Sequence, residues 1–333
     1  MKHYNIPVFV PHLGCPHDCV FCSQKKITGV TEGMNPQKAK NVIDEYLRDV
    51  NPVGYIEIAF FGGSFTAIED GERQALLEVA NEYLKKGEVD GIRLSTRPDC
   101  ISREILDELL HYGVTAIELG VQSMDDEVLI KSGRGHLSEH VREAVSLIRE
   151  YPFELGLQMM TGLPGDTFEK SIQTARRIVE LKPDTVRVYP TLVIRETVLC
   201  TMLESGDYTP FTLEETVELL AEIKEIFDRG GVHIIRMGLQ TTDEITPGAA
   251  VAGGPYHAAI GELAENRIFY KKLLKLLGGC ESGEVKILCN PSEVSKIIGH
   301  KRCNAQKIYS EYKIKIKLCP DDGMAKGELG LLR

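Results

Sequence analysis

Six short apolar runs, rich in β-branched residues, alternate with amphipathic stretches up to Tyr189 of this 333-residue chain. The runs are Ile6–Val10, Tyr55–Phe61, Ile92–Ser95, Ala116–Val121, Leu155–Met160 and Val186–Tyr189. Between them lie Pro36–Val50, Glu72–Lys86, Arg103–Tyr112, Leu137–Glu150 and Phe168–Leu181, with apolar residues at helical spacing. Asn35, Ser102, Ser138 and Thr167 stand where N-caps belong. Strands alternating with helices at this interval make βαβ units and a parallel sheet. Six repeats suit an open doubly wound sheet or a partial barrel, and periodicity alone does not choose between them.

After Tyr189 the rhythm changes. A helical segment, Thr212–Arg229, precedes a strand-like run, Val232–Met237, then a Gly-rich loop at Gly248–Gly254 and a long helical pattern from Tyr256 to Leu277. Gly278 and Gly279 read as a helix stop and hinge. Val285 to Leu318 then reads as strand, helix, turn, helix, strand. The expected organisation is a half-barrel over 1–240, a helical connector packing on it over 241–279, and a small basic module over 280–333.

A net charge of −10 argues against a protein that coats nucleic acid with its whole surface. There is no apolar run of about 20 residues to cross a bilayer, and no signal-peptide pattern at the N-terminus. The expected location is therefore the cytoplasm, with no membrane partner. In that reducing compartment an odd count of nine cysteines favours metal binding or catalysis over disulfides.

Three of them fall within eight residues, in His12-Leu-Gly-Cys15-Pro-His17-Asp-Cys19-Val-Phe21-Cys22, just after the first strand. Parallel sheets place their working loops at the carboxyl ends of strands. Thiolates from Cys15, Cys19 and Cys22 can wrap one face of a 4Fe–4S cubane and leave one iron open to a ligand. The competing reading is structural zinc, which takes four ligands as two close pairs. His12 or His17 offers a fourth ligand, but no second pair follows at finger-like spacing.

The cysteine segment resembles that of radical S-adenosylmethionine enzymes. It is most similar to the branch containing the Elongator catalytic subunit, with oxygen-independent coproporphyrinogen oxidases more distant. The resemblance spans about residues 5 to 240 and rests on several motifs in order. It implies that Cys15, Cys19 and Cys22 hold a catalytic 4Fe–4S cluster, with Phe21 beside it, and that S-adenosylmethionine is the second cofactor. Gly62, Gly63 and Ser64, in Phe60-Phe61-Gly-Gly-Ser-Phe-Thr66, would receive the methionine amino group. Gln122 matches a position near the ribose, Arg134 one that pairs with the methionine carboxylate, and Gln158 a further cofactor contact. Ser95 stands where the family often has a ribose-binding Glu, and a hydroxyl brings no charge to that task. An electron donor such as flavodoxin or ferredoxin follows from the same chemistry.

Beyond residue 240 the Elongator resemblance gives way, and its acetyltransferase domain is not expected here. Instead Ile297-Ile-Gly299-His-Lys301-Arg302 joins two short helices and resembles the core of a KH domain, whose GxxG loop clamps nucleic-acid backbone. Arg302 replaces the second glycine. From Val285 to Leu318, seven Lys and one Arg stand against two Glu, a segregation suited to phosphate. Gly299, Lys301 and Arg302 are the candidate RNA contacts, while Lys313, Lys315 and Lys317 also fit a solvated strand edge. Cys280, Cys289, Cys303 and Cys319 lie nearby without CxxC pairing, and read as small thiols rather than a second metal centre.

The expected fold is a partial (β/α)6 TIM-like barrel followed by a small α/β, KH-like module. The foremost function is radical-based modification of RNA, with tRNA as the expected partner. A porphyrin or small-molecule oxidoreductase, and a non-catalytic iron–sulfur RNA-binding protein, are the alternatives.

Overall fold

The apolar runs give each early strand one greasy face to cover and one face that carries polar groups. In the computed structural model, which describes residues 2–10, 13–23, 33–49, 54–239 and 245–332, these strands lie side by side. They are β1 (His3–Phe9), β2 (Tyr55–Phe61), β3 (Gly91–Thr96), β4 (Ala116–Gln122), β5 (Glu154–Thr161), β6 (Thr185–Pro190) and β8 (His233–Met237). All neighbours pair in parallel, in the order β1-β2-β3-β4-β5-β6-β8. The result is the expected partial barrel with one strand more than the six repeats foretold. The seventh comes from the run read at Val232–Met237, which pairs with β6.

Helices α1 (Pro36–Asp49), α2 (Asp70–Lys86), α3 (Arg103–His111), α5 (Ser138–Ile148) and α6 (Phe168–Glu180) fill the intervals. Ser102 and Thr167 cap as expected, their side chains accepting from the amides of Ile105 and Lys170. Ser138 does not. It is the first helical residue, and its own amide donates to Asp126. Two helices escaped the sequence reading, α4 (Asp126–Lys131) and α7 (Val198–Ser205), each too short to show a helical period. A small antiparallel pair, β7 (Val193–Ile194) with β9 (Val251–Gly253), completes this part.

The chain divides into two compact units, one of Met1–Phe211 with Ile226–Tyr256, the other of Thr212–Glu225 with His257–Arg333. These limits differ from the boundaries expected at 240 and 279. Helix α8 (Leu213–Arg229) contributes its first part to the second unit. Helix α9 (Ile260–Leu277), expected as a connector, belongs wholly to that unit. The reason is burial: Phe269, Tyr270, Leu273 and Leu277 share one core with Ile287, Ile297, Ile308 and Ile314. A sheet with two short helices has too little apolar surface to close a core alone.

The second unit carries β10 (Gly283–Cys289), α10 (Val294–Ile298), α11 (Cys303–Tyr312), β11 (Ile314–Pro320) and β12 (Leu329–Leu331). Its sheet runs β11-β10-β12, so β11 is an edge and Lys315 and Lys317 point to solvent along it. No described helix is long and apolar enough to cross a membrane.

Candidate active site

The polar faces of the barrel strands carry charges that the sequence reading passed over. Arg93 on β3 donates to Glu57 on β2 at 2.8 Å, to Glu118 on β4 at 3.4 Å and to Glu154 at the start of β5 at 3.1 Å. Arg187 on β6 grips Glu118 with two bonds, at 2.7 and 2.9 Å. Glu57, Arg93 and Glu118 are all buried. Register places Ser95 beside Glu118, Gly120 beside Gln158 and Gln158 beside Arg187, so these residues share the charged face. Ion pairing inside the sheet satisfies that face below the strand ends and fixes strand register more than it adds stability. The alternation of one charge with apolar neighbours in four strands was the available signal.

Above this network, the cysteine loop leaves β1 and is tied down by its backbone. The Ser64 amide donates to the Leu13 carbonyl at 3.0 Å, the Val20 amide to Ser132 at 3.1 Å, and the Leu199 amide to Val20 at 2.7 Å. Three separate parts of the barrel thus hold eight residues of loop. Close approach makes this possible. A Cβ on Gly63 would lie 2.4 Å from the Val10 carbonyl oxygen and 2.5 Å from that of Leu13. Gly135, at φ +72°, lies flat against the His17 ring, where a Cβ would sit 2.2 Å from Cδ2. Phe21 packs with Val20 against Val193, Leu199, Cys200 and Tyr208, so the ring anchors the loop. His12, the other candidate fourth ligand, lies outside the described residues.

Arg134 joins the loop to the strand ends. Its Nη1 donates to the Cys19 sulfur at 3.1 Å and its Nη2 to the Gly120 carbonyl at 2.6 Å, while Nε is buried without a partner. Gln122, at φ +64° beyond a bulge in β4, accepts from the Gln158 amide at 3.2 Å. A Cβ on Gly120 would fall 2.9 Å from Gln122 Nε2 and 3.3 Å from Arg134 Nη2. Cys19, Gln122, Arg134 and Gln158, singled out in the sequence from four distant segments, therefore meet. Ser95 shares their face and is half-buried. Ser64 is turned elsewhere: its fully buried hydroxyl bonds Thr96, which bonds Thr66, whose hydroxyl donates to the Cys100 carbonyl. Only its main chain faces the cysteine loop.

Two residues went unnoticed in the sequence. Arg97 is buried, pairs with Asp99 at 2.9 Å and donates to the Arg134 carbonyl. It directly follows β3, where a charged residue between a strand and Pro98 was a readable sign. His136 is buried with neither ring nitrogen bonded, and burial together with the Arg134 charge pushes its pKa down to about 3. It remains a neutral ring at physiological pH.

None of the three motif cysteines is engaged in a disulfide. Burial raises the Cys15 pKa and the neighbouring Cys19 adds to this, while Arg97 and Arg134 pull it down. Among the described residues no three His, Cys, Asp or Glu converge as they would around a single ion. The donor set and its surroundings nevertheless fit a thiolate-bound cluster with an anionic ligand: three sulfurs on one anchored loop, two buried guanidiniums beside them, and an Arg134 Nε with no partner that a carboxylate would satisfy.

Comparison with known proteins agrees. The family model for the radical SAM superfamily matches residues 9–178, and the Radical_SAM C-terminal domain model matches 183–269. A tRNA uridine(34) acetyltransferase of Dehalococcoides mccartyi is 28% identical over 258 residues, which are 66% of this chain and 56% of that one. Elongator complex protein 3 of Homo sapiens is 37% identical over 136 residues, covering 40% of this chain and 25% of the relative. The chain thus spans about half the length, or less, of these curated relatives. The solved structure of archaeal Methanocaldococcus infernus Elp3 superposes with a TM-score of 0.65 at 25% identity, over 81% of this chain and 63% of the other.

Proposed function

This chain belongs to the radical S-adenosylmethionine superfamily, and we propose that it is an RNA-modifying member of it, acting on tRNA in the cytoplasm. The observation that carries the reading is the Arg134 guanidinium, bonded to Cys19 on one side and to the end of β4 on the other. It brings a cation to the spot where a cofactor carboxylate would lie beside the cysteine loop.

In this reading Cys15, Cys19 and Cys22 would hold the 4Fe–4S cluster, with S-adenosylmethionine bound beside it. Bound together, the two would supply radical chemistry by reductive cleavage of S-adenosylmethionine, with the electron coming from a donor of flavodoxin or ferredoxin type. The protein's own contribution is placement. Arg134 offers its unpartnered Nε to the methionine carboxylate, and the Gly62–Gly63 main chain receives the amino group. The carboxamides of Gln122 and Gln158, paired with each other, present their remaining donors and acceptors to the ribose. Ser95 adds one hydroxyl on the same face.

RNA as substrate is supported by the similarity to tRNA uridine(34) acetyltransferases and by the C-terminal loop. Lys301 and Arg302 are exposed in the turn between α10 and α11. Such side chains meet phosphate by charge. Comparison of modified tRNA nucleosides between a deletion strain and its parent tests the proposal. One modified nucleoside lost on deletion, and restored by the intact gene but not by Cys19→Ala, is expected. An unchanged nucleoside profile would count against RNA as the substrate.

A further inference from the structure

The second unit contains a cavity of about 360 Å³, formed by the start of α8, helix α9 and the first turns of α11. That volume lies within the span of small-ligand sites, about 300–1,000 Å³. Leu213, Val217 and Leu263 give it an aliphatic wall, and Glu214, Arg267, Asn304 and Lys307 stand around it. One of its polar groups is buried and left without a partner. Asn266 lines the cavity at 2% exposure, and neither its carboxamide oxygen nor its nitrogen has a hydrogen-bond partner. An unpaired buried amide costs free energy on both its donor and its acceptor side. Nothing in the fold demands it: the neighbouring Asn304 amide already spans the Asn266 and Ile297 carbonyls, which ties α9, α10 and α11 together.

The amide asks for an occupant with a donor and an acceptor side by side in one plane. The aliphatic walls ask for a flat apolar body. Tyr270, also in the lining, has two cations near its ring centroid, Arg267 at 5.9 Å and Lys307 Nζ at 4.9 Å. Arg267 is already paired with Glu218 at 3.0 Å and reaches Glu214 at 3.5 Å, whereas Lys307 has no carboxylate partner among the described residues. A nucleobase edge matches an Asn amide through two bonds, its ring fills an apolar slot, and its phosphate answers an unpaired lysine. The cavity also adjoins the basic turn, because Cys303 and Asn304 on its wall directly follow Arg302.

We propose that this cavity takes a single unstacked nucleobase with its phosphate, as one reading pocket for the RNA gripped by Lys301 and Arg302. The inference rests on the RNA reading given above, so its test has two arms. In the first, the full-length protein is titrated with AMP, CMP, GMP and UMP, and alkylation of the exposed Cys303 on the cavity wall is followed by peptide mass spectrometry. At least one monophosphate should bind saturably and slow Cys303 modification. Leu263→Trp, which fills the slot, should weaken this by about tenfold or more. Lys307→Glu, a surface change that leaves the core intact, should weaken it too. No protection by any of the four, or protection that both variants leave unchanged, overturns the proposal.

In the second arm a tRNA anticodon stem-loop is bound to the same proteins. Loss of binding in the Lys301→Glu, Arg302→Glu double variant, without loss in Leu263→Trp or Lys307→Glu, would keep the RNA reading and remove the pocket from it. A monophosphate that occupies the cavity while no stem-loop binds would sink the RNA reading and leave the nucleotide pocket standing.

Discussion

Two loops in this molecule carry the residues with the most to do, and they are built in opposite ways. The cysteine loop is bonded through its backbone to the turn after β2, to the end of α4 and to the start of α7. Its neighbours are buried arginines and glycines at van der Waals limits. The Gly299–Arg302 turn closes on itself, with the Arg302 amide donating to the Gly299 carbonyl at 2.8 Å and the Gly299 amide to Ser295 at 3.0 Å. Lys301 and Arg302 are exposed there. A group that must hold three sulfurs at one spacing needs a rigid frame, because small displacements cost catalysis heavily. A group that meets a phosphate chain by charge needs only presentation.

If that contrast is right, substitutions at the barrel mouth should act through placement and those at the turn through charge. Arg134→Gln breaks the link between Cys19 and β4, so S-adenosylmethionine affinity should fall about 10–100-fold with the protein still folded. Calorimetric titration with an intact circular-dichroism spectrum checks this; unchanged affinity would remove Arg134 from the site. Gly63→Ala forces the β2 turn and the cysteine loop apart, and should cost about 1–3 kcal/mol in denaturant unfolding, together with loss of bound iron. Retention of full iron at wild-type stability would mean the loop is less tightly seated than its contacts imply. Arg302→Gly should do the reverse at the turn. Arg302 sits at φ +65° and Lys301 at φ +51°, a region side chains enter at a cost. Glycine there should stabilise by under about 1 kcal/mol while weakening RNA binding. A variant that is both less stable and equally tight would contradict the comparison.

The same contrast explains how much was legible beforehand. Strand positions were readable because β-branched runs announce themselves, and β2 was matched residue for residue at Tyr55–Phe61. Cys15, Cys19 and Cys22 stand out in the sequence because their spacing is local. The meeting of Gln122, Arg134 and Gln158 with Cys19 was foreseeable only through family resemblance, since it depends on register across strands. Their surroundings stayed hidden. Glu57, Arg93, Glu118 and Arg187 are charges within apolar strands, and pairing across register is what allows them inside. The burial of the Ser64 hydroxyl and the role of α9 as core rather than connector likewise follow from packing that no local pattern encodes. Arg302 was noted as a missing glycine, and the turn adopts the left-handed backbone that a glycine would have taken freely.

The most direct test of the account is made without any RNA. Protein prepared anaerobically, loaded with iron and sulfide and reduced in the presence of S-adenosylmethionine, should release 5′-deoxyadenosine and methionine, and Cys19→Ala should fall to the level of the protein-free control. Equal release from the two proteins, or none from either despite a fully assembled cluster in the unaltered chain, would contradict it.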